Sequence, residues 1–127
     1  MARTYHVDIA RFASASDAKW IDNLLSAHTI SGVESARRGV ARKISVHGIY
    51  EIALIHRLNR DLGVSVDTAV SLAHRLLSGN TTHVSLPGHL ELRFDRHAFQ
   101  REIDRKIGDA VESIVPAQRG RPRIRRK

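Results

Sequence analysis

The stretch from His47 to Leu62 constrains this chain more than any other. Its apolar residues are Ile49, Tyr50, Ile52, Ala53, Leu54, Ile55, Leu58 and Leu62. At helical spacing they spread around most of the circumference instead of forming one stripe. A helix that is apolar on many sides has to be covered on many sides, so it is central and buried. Ser45 is placed to cap its start. Leu62-Gly63 gives a stop with Gly just past the last turn. The other segments must supply the cover, and 127 residues suffice for one such domain with an appendage.

The candidate covering elements follow from periodicity. Val7 to Ala13 reads as a short helix, and Ser14-Ala15-Ser16 interrupts it. Ser16 is a good N-cap, Asp17 suits the first turn, and Ala18 to Leu25 continues as a second helix with Ile21, Leu24 and Leu25 inward. Two short helices across three small residues form a helix-turn-helix pattern. His28 to Ile44 has no sustained period. It reads as a loop or small hairpin carrying Arg37, Arg38, Arg42 and Lys43. Ser65 caps a further helix, Val66 to Ser78, apolar on one face, and Gly79 ends it. Thr82 to Phe94 alternates about Pro87-Gly88, as a β-hairpin does. Asp95 caps a last amphipathic helix, Arg96 to Val115, which Pro116 is expected to stop. The fold class expected is mainly α with a small β component: residues 1–79 as one domain, 80–116 as a hairpin plus helix, and 117–127 as a disordered basic tail.

Several function classes drop out. With no cysteine, disulfide scaffolds, zinc ribbons, iron–sulfur sites and cysteine nucleophiles are excluded. The eight histidines include no His-Glu-x-x-His, and there is no Gly-rich phosphate loop. Gly48-Ile49-Tyr50 matches half of one nuclease motif, and the other half is missing. Pro87 with Glu91-Leu92-Arg93 is a poor match to a nuclease carboxylate–lysine arrangement. A non-enzyme is expected, with no catalytic residue, cofactor, metal or small-molecule ligand implied. The longest uncharged stretch, Leu76 to Leu90, is broken by Gly and Pro and falls short of the roughly 18 apolar residues that span a bilayer. The first residues have no apolar core of a secretory signal. No membrane association and a cytoplasmic, nucleoid location are expected.

Charge narrows the partner. The chain carries +8, of which +6 falls between Arg119 and Lys127 and +2 on everything before. Met1 to His47 holds +3, Gly48 to Gly79 is neutral, and Asn80 to Gln118 holds −1. Such a distribution favours a polyanionic partner met by both ends of the chain.

Residues 1 to about 78 resemble the MerR-type winged helix-turn-helix domain. The likeness rests on Ile9-Ala10-Arg11-Phe12-Ala13, Ser14-Ala15-Ser16, the aromatic Trp20, a Gly- and Arg-bearing segment from Gly32 to Arg42, and Val40-Ala41-Arg42-Lys43-Ile44-Ser45 leading into the long helix. The resemblance implies a second helix in the major groove of double-stranded DNA and a wing on the flanking backbone. Carried over, it implicates Ser16, Lys19, Trp20, Asn23, Arg37, Arg38, Arg42 and Lys43. The chain departs from the family in lacking the usual Tyr near the end of the wing. It also lacks a following coiled-coil helix and a Cys sensor loop.

A second resemblance lies at the other end. Arg119-Gly120-Arg121-Pro122-Arg123 is similar to an AT-hook, in which an extended Gly-Arg-Pro segment runs along a narrow minor groove. Arg125, Arg126 and Lys127 add phosphate contacts. A generic basic tail remains the alternative. The stripe Phe99, Ile103, Ile107, Val111 and Ile114 on the last helix is a candidate dimerisation face, with packing inside the chain equally compatible. Together these features lead to the expectation of a small bacterial-type DNA-binding protein, a homodimer favouring AT-rich duplexes, acting as a transcription regulator or nucleoid-associated protein. An RNA- or ribosome-binding protein and an antitoxin-like interaction module are the alternatives.

Overall fold

A computed structural model of the chain describes residues 3–34, 42–78 and 83–120, the side chains of 114–120 excepted. The elements run β1 (Thr4–His6), α1 (Val7–Ser14), α2 (Ala18–Ala27), β2 (Lys43–Ser45), α3 (Val46–Leu62), α4 (Val66–Leu77), β3 (His83–Leu86), β4 (Leu90–Arg93) and α5 (Arg96–Gly120). The protein is mainly helical with a small β component. Each of its two sheets is an antiparallel pair, β1 with β2 and β3 with β4.

α3 is the central element. Ser45 Oγ accepts from the Gly48 N–H at 3.2 Å, and Gly63 ends the helix at φ +70°. Glu51, Ile52, Ala53, Leu54 and Ile55 are buried in succession, which only a helix covered all round permits. The cover comes from α1, α4, α5 and β2. α4 starts on Ser65, whose Oγ accepts from the Thr68 N–H at 3.3 Å. It buries Ala69, Leu72, Ala73, Leu76 and Leu77.

α5 begins as expected, with Asp95 Oδ1 accepting from the Ala98 N–H at 3.0 Å. It lies along α1, where Ala10 and Ala13 are small and fully buried and let the two backbones approach. Phe99, Ile103, Ile107 and Ala110 are buried in this contact, and Val111 packs against the same core. The proposed dimerisation stripe is therefore spent inside the chain. An apolar stripe has to be covered, and α1 and α3 are the cover. The side chain of Ile114 lies outside the described residues. Residues 1–79 and 80–116 consequently share one hydrophobic core.

Pro116 does not end α5, which continues to Gly120. Proline's fixed φ near −65° suits a helix, and its missing N–H removes one intrahelical bond without forbidding further turns. Ala117–Gly120 are thus helical and do not start an extended arm.

Polar side chains join α3 to α5. Arg57 grips Glu102 through both nitrogens, at 2.8 and 3.5 Å, and Lys106 reaches the same carboxylate at 3.1 Å. The hydrogen bonds from Arg57 and then Lys106 hold the Glu102 carboxyl down to about 2. Tyr50 donates to Asp104 at 2.5 Å; burial first, and this hydrogen bond second, push its phenol up.

Two outcomes are expected. Ile103→Ala lowers stability by about 2–5 kcal/mol, read as a urea midpoint shift that does not depend on protein concentration. An unchanged midpoint would show that Ile103 is not part of the core. Because the Glu102 pKa is depressed on folding, its contribution is complete above its ordinary value of 4.5 and is lost as pH falls toward about 2. Exposure of a third of the Glu102 side chain limits that contribution to about 1 kcal/mol. Thermal melts of Glu102→Gln should show a smaller loss between pH 4.5 and pH 2 than the wild type, and equal losses would refute it.

Candidate nucleic-acid interface

α1 and α2 are joined by Ala15, Ser16 and Asp17. Ala15 takes the left-handed conformation at φ 60°, ψ 33°, and the Ala15 and Ser16 N–H groups return to the Phe12 and Arg11 carbonyls at 3.2 Å each. This wrap-back corrects the expected cap. Asp17, one residue further on, is the N-cap of α2, its Oδ1 accepting from the Trp20 N–H at 2.7 Å. Ser16 is turned inward at 9% exposure, with its Oγ 2.6 Å from Ser14 Oγ. It is therefore not a surface contact.

α2 buries Ile21 and Leu24. Trp20 sits edge-on against His56 of α3, with ring centroids 4.7 Å apart and planes at 86°. Burial, followed by the Arg60 charge, holds the His56 imidazole below its usual value. Trp20 belongs to the attachment of the helix, because a large ring beside a half-filled core gains more by burial than by exposure. The open face of α2 carries Lys19, Asp22, Asn23 and Ser26. Lys19 and Asn23 stand one turn apart on it.

The segment after α2 closes on itself at its root. The Ser45 N–H donates to the Gly32 carbonyl at 2.8 Å, the Glu34 N–H donates to the Lys43 carbonyl at 3.0 Å, and Val33 bridges Ile44. This agrees with the expected small hairpin, of which the structure describes the two ends. Arg37 and Arg38 lie outside the described residues. Arg42 Nη1 is 3.8 Å from Asp22 Oδ1 and the side chain is only 20% exposed, so it ties the hairpin root to α2. Lys43 is exposed on β2, opposite His6.

β1 was not legible in the sequence. It pairs Thr4 with Ser45, Tyr5 with Ile44 and His6 with Lys43, placing the N-terminal segment beside the hairpin root. Arg3 is exposed there with its guanidinium 5.0 Å above the Tyr5 ring. Arg3, just before β1, and Lys43, on β2, are thus two exposed cations that form no ion pair among the described residues. Thr4-Tyr5-His6 does alternate outward–inward–outward, but three residues are too few for a period to stand out.

At the far end, Arg119 and Gly120 belong to the last turn of α5. Arg121, Pro122, Arg123, Arg125, Arg126 and Lys127 lie outside the described residues. A different group was also missed. Glu51 is 2% exposed, with Oε2 3.1 Å from His47 Nε2 and Oε1 3.8 Å from His74 Nδ1. The His47 approach is not aligned for a hydrogen bond. The two imidazoles screen a buried carboxylate where α4 crosses α3. Among the described residues no group of three His, Cys, Asp or Glu side chains is arranged to hold a metal ion, and no helix is long and apolar enough to cross a membrane.

The hairpin root depends on Gly32. Its φ is +84°, and a Cβ there would collide with Ser45 Oγ, the cap of α3. Gly48 is equally close-packed, since its Cβ would lie 2.8 Å from Ile44 Cγ2. Gly32→Ala should cost about 2–3 kcal/mol through backbone strain and loss of the cap. The expected readout is a lowered melting temperature with faster amide exchange at Ser45 and Gly48. An unchanged melt would show that the root does not hold α3.

No protein-family model, curated protein or solved structure matches this chain.

Proposed function

We propose that this chain is a small DNA-binding protein, a transcription regulator or nucleoid-associated protein that acts as a homodimer on AT-rich duplexes. α1 and α2 serve as the helix-turn-helix, α2 enters the major groove, and the hairpin from Gly32 to Lys43 lies as a wing on the flanking backbone. The observation that carries the reading is the open face of α2. A short capped helix anchored by Ile21, Leu24 and Trp20 presents Lys19 and Asn23 outward, and Arg42 ties the wing root to it through Asp22. Lys19 suits a phosphate, and Asn23 suits a phosphate or an adenine edge. Arg3 and Lys43 extend the cationic surface along β1 and β2.

The Arg-rich end supplies the second contact. Six positive charges within nine residues match the deepened negative potential of a narrow A·T minor groove. Two linked weak sites bind more tightly than either alone, through effective concentration. The MerR-like resemblance of residues 1 to about 78 supports the same assignment of roles.

A titration against an AT-rich duplex, a GC-rich duplex and a structured RNA tests it. The AT-rich duplex should bind most tightly, with affinity falling steeply as salt rises. Deleting Arg119 to Lys127 should abolish the AT preference and flatten the salt dependence. Lys19→Ala should weaken all duplexes alike and reduce the salt slope by about one. Equal affinity for all three ligands with no effect of the deletion would refute both groove assignments.

A further inference from the structure

The β3–β4 hairpin overhangs the body of the protein. Its core-facing side carries Val84 opposite Leu92 and Leu86 opposite Leu90. Burial fades along this face toward the Pro87-Gly88 turn: Val84 is 2% exposed, Leu92 and Leu86 are partly covered, and Leu90 is 63% exposed. Beside the hairpin lies a recess of about 310 Å³. Leu54, Leu58, Leu76 and Phe99 form its floor, and Leu62 and Leu92 form its walls. Leu62 is itself 59% exposed. One continuous face thus holds an apolar knob and an apolar hole, and a two-fold axis requires both on the same surface.

The knob and recess together, with the charge around them, favour a second copy as the occupant. The groups around the recess are Arg57, Arg93, Asp95 and Glu102, with Glu91 and Lys106 next to them. They are three cations and three anions. Arg57 and Lys106 pair with Glu102, Arg93 with Glu91, and Asp95 caps α5. Among the described residues each of these charged groups has a partner. On a chain of +8 this rim is neutral, so two copies meeting on it add no like-charge contact to the repulsion between their net charges. An exposed apolar patch with a satisfied polar rim is the anatomy of a protein interface.

We infer that two copies of this chain associate through this face, the Leu86–Leu90 end of each hairpin seated in the partner's recess. The inference gives a surface to the dimer in the reading above. It rests on the apolar face and not on DNA contacts, so mass measured without DNA tests it separately.

Sedimentation equilibrium of the full chain over a micromolar to millimolar range should show twice the 14.2 kDa monomer mass at the upper end. Leu90→Asp and Leu62→Gln should each raise the dimer dissociation constant about tenfold or more. Both sites are exposed in the monomer, so melting of the dilute variants should match the wild type. Phe12→Gln, at an exposed site on α1, should leave association unchanged. A monomer at every concentration would overturn the inference, as would a dimer indifferent to Leu90→Asp. Loss of DNA binding with an intact dimer would leave it standing.

Discussion

Burial of α3 on every side is the constraint from which the rest of the structure follows. Of the covering elements, α4 and α5 each bring an apolar stripe and, with it, partners for polar groups of α3. α4 brings His74 to Glu51. α5 brings Glu102 to Arg57 and Asp104 to Tyr50. The loop after α3 brings the Val64 carbonyl to Asn59 at 2.8 Å. Apolar packing supplies most of the driving force, because each fully buried Ile or Leu is worth about 1.5–3 kcal/mol. It is non-directional, however, and would tolerate sliding. The polar pairs fix the register, since a helix slipped by one turn would part the buried Glu51 carboxylate from its imidazoles and Arg57 from Glu102.

This arrangement also explains why the candidate interface lies where it does. α2 takes little part in covering α3. Its inward side needs only Ile21, Leu24 and the Trp20 edge on His56. The rest of its surface is released from packing and carries polar residues. Its placement is nevertheless firm. The left-handed Ala15 fixes the turn before it, Asp17 fixes its first amides, and Arg42 holds the wing root against it. Such a helix presents its side chains from a fixed backbone, so the ordering left for binding is that of the side chains themselves.

Features set by short-range chemistry were legible in the sequence. Ser45, Ser65 and Asp95 cap helices, Gly63 stops one, and Pro87-Gly88 turns a hairpin, each through its own backbone preferences. Features set by distant partners were not. β1 depends on β2, some forty residues away, and three residues cannot announce a strand. The α5 stripe declares that it must be covered but not by what. At the start of α2 two good capping residues stand side by side, and the left-handed Ala15 decides between them. Pro116 misled because a rule about average helix ends was applied to one helix. Glu51 reads as a surface residue until α4 is folded across it. In the candidate site, the exposed Lys19 and Asn23 were readable from α2's own period, whereas the loss of Ser16 to the interior required the turn geometry.

Self-association and DNA binding are coupled by charge on the proposed reading. Two chains of +8 repel at long range, and that repulsion opposes a dimer whose contact face is neutral. Phosphate binding neutralises the basic ends, lowers the repulsion and tightens the dimer. By linkage, the dimer must then bind DNA more tightly than the monomer by the same factor. The coupling needs no conformational change. It needs only a contact face without net charge, and the charged groups lining the recess balance. Added salt screens the repulsion and releases the phosphate contacts together. The two associations therefore respond to salt in opposite directions: the free dimer is favoured as ionic strength rises, while the DNA complex is lost.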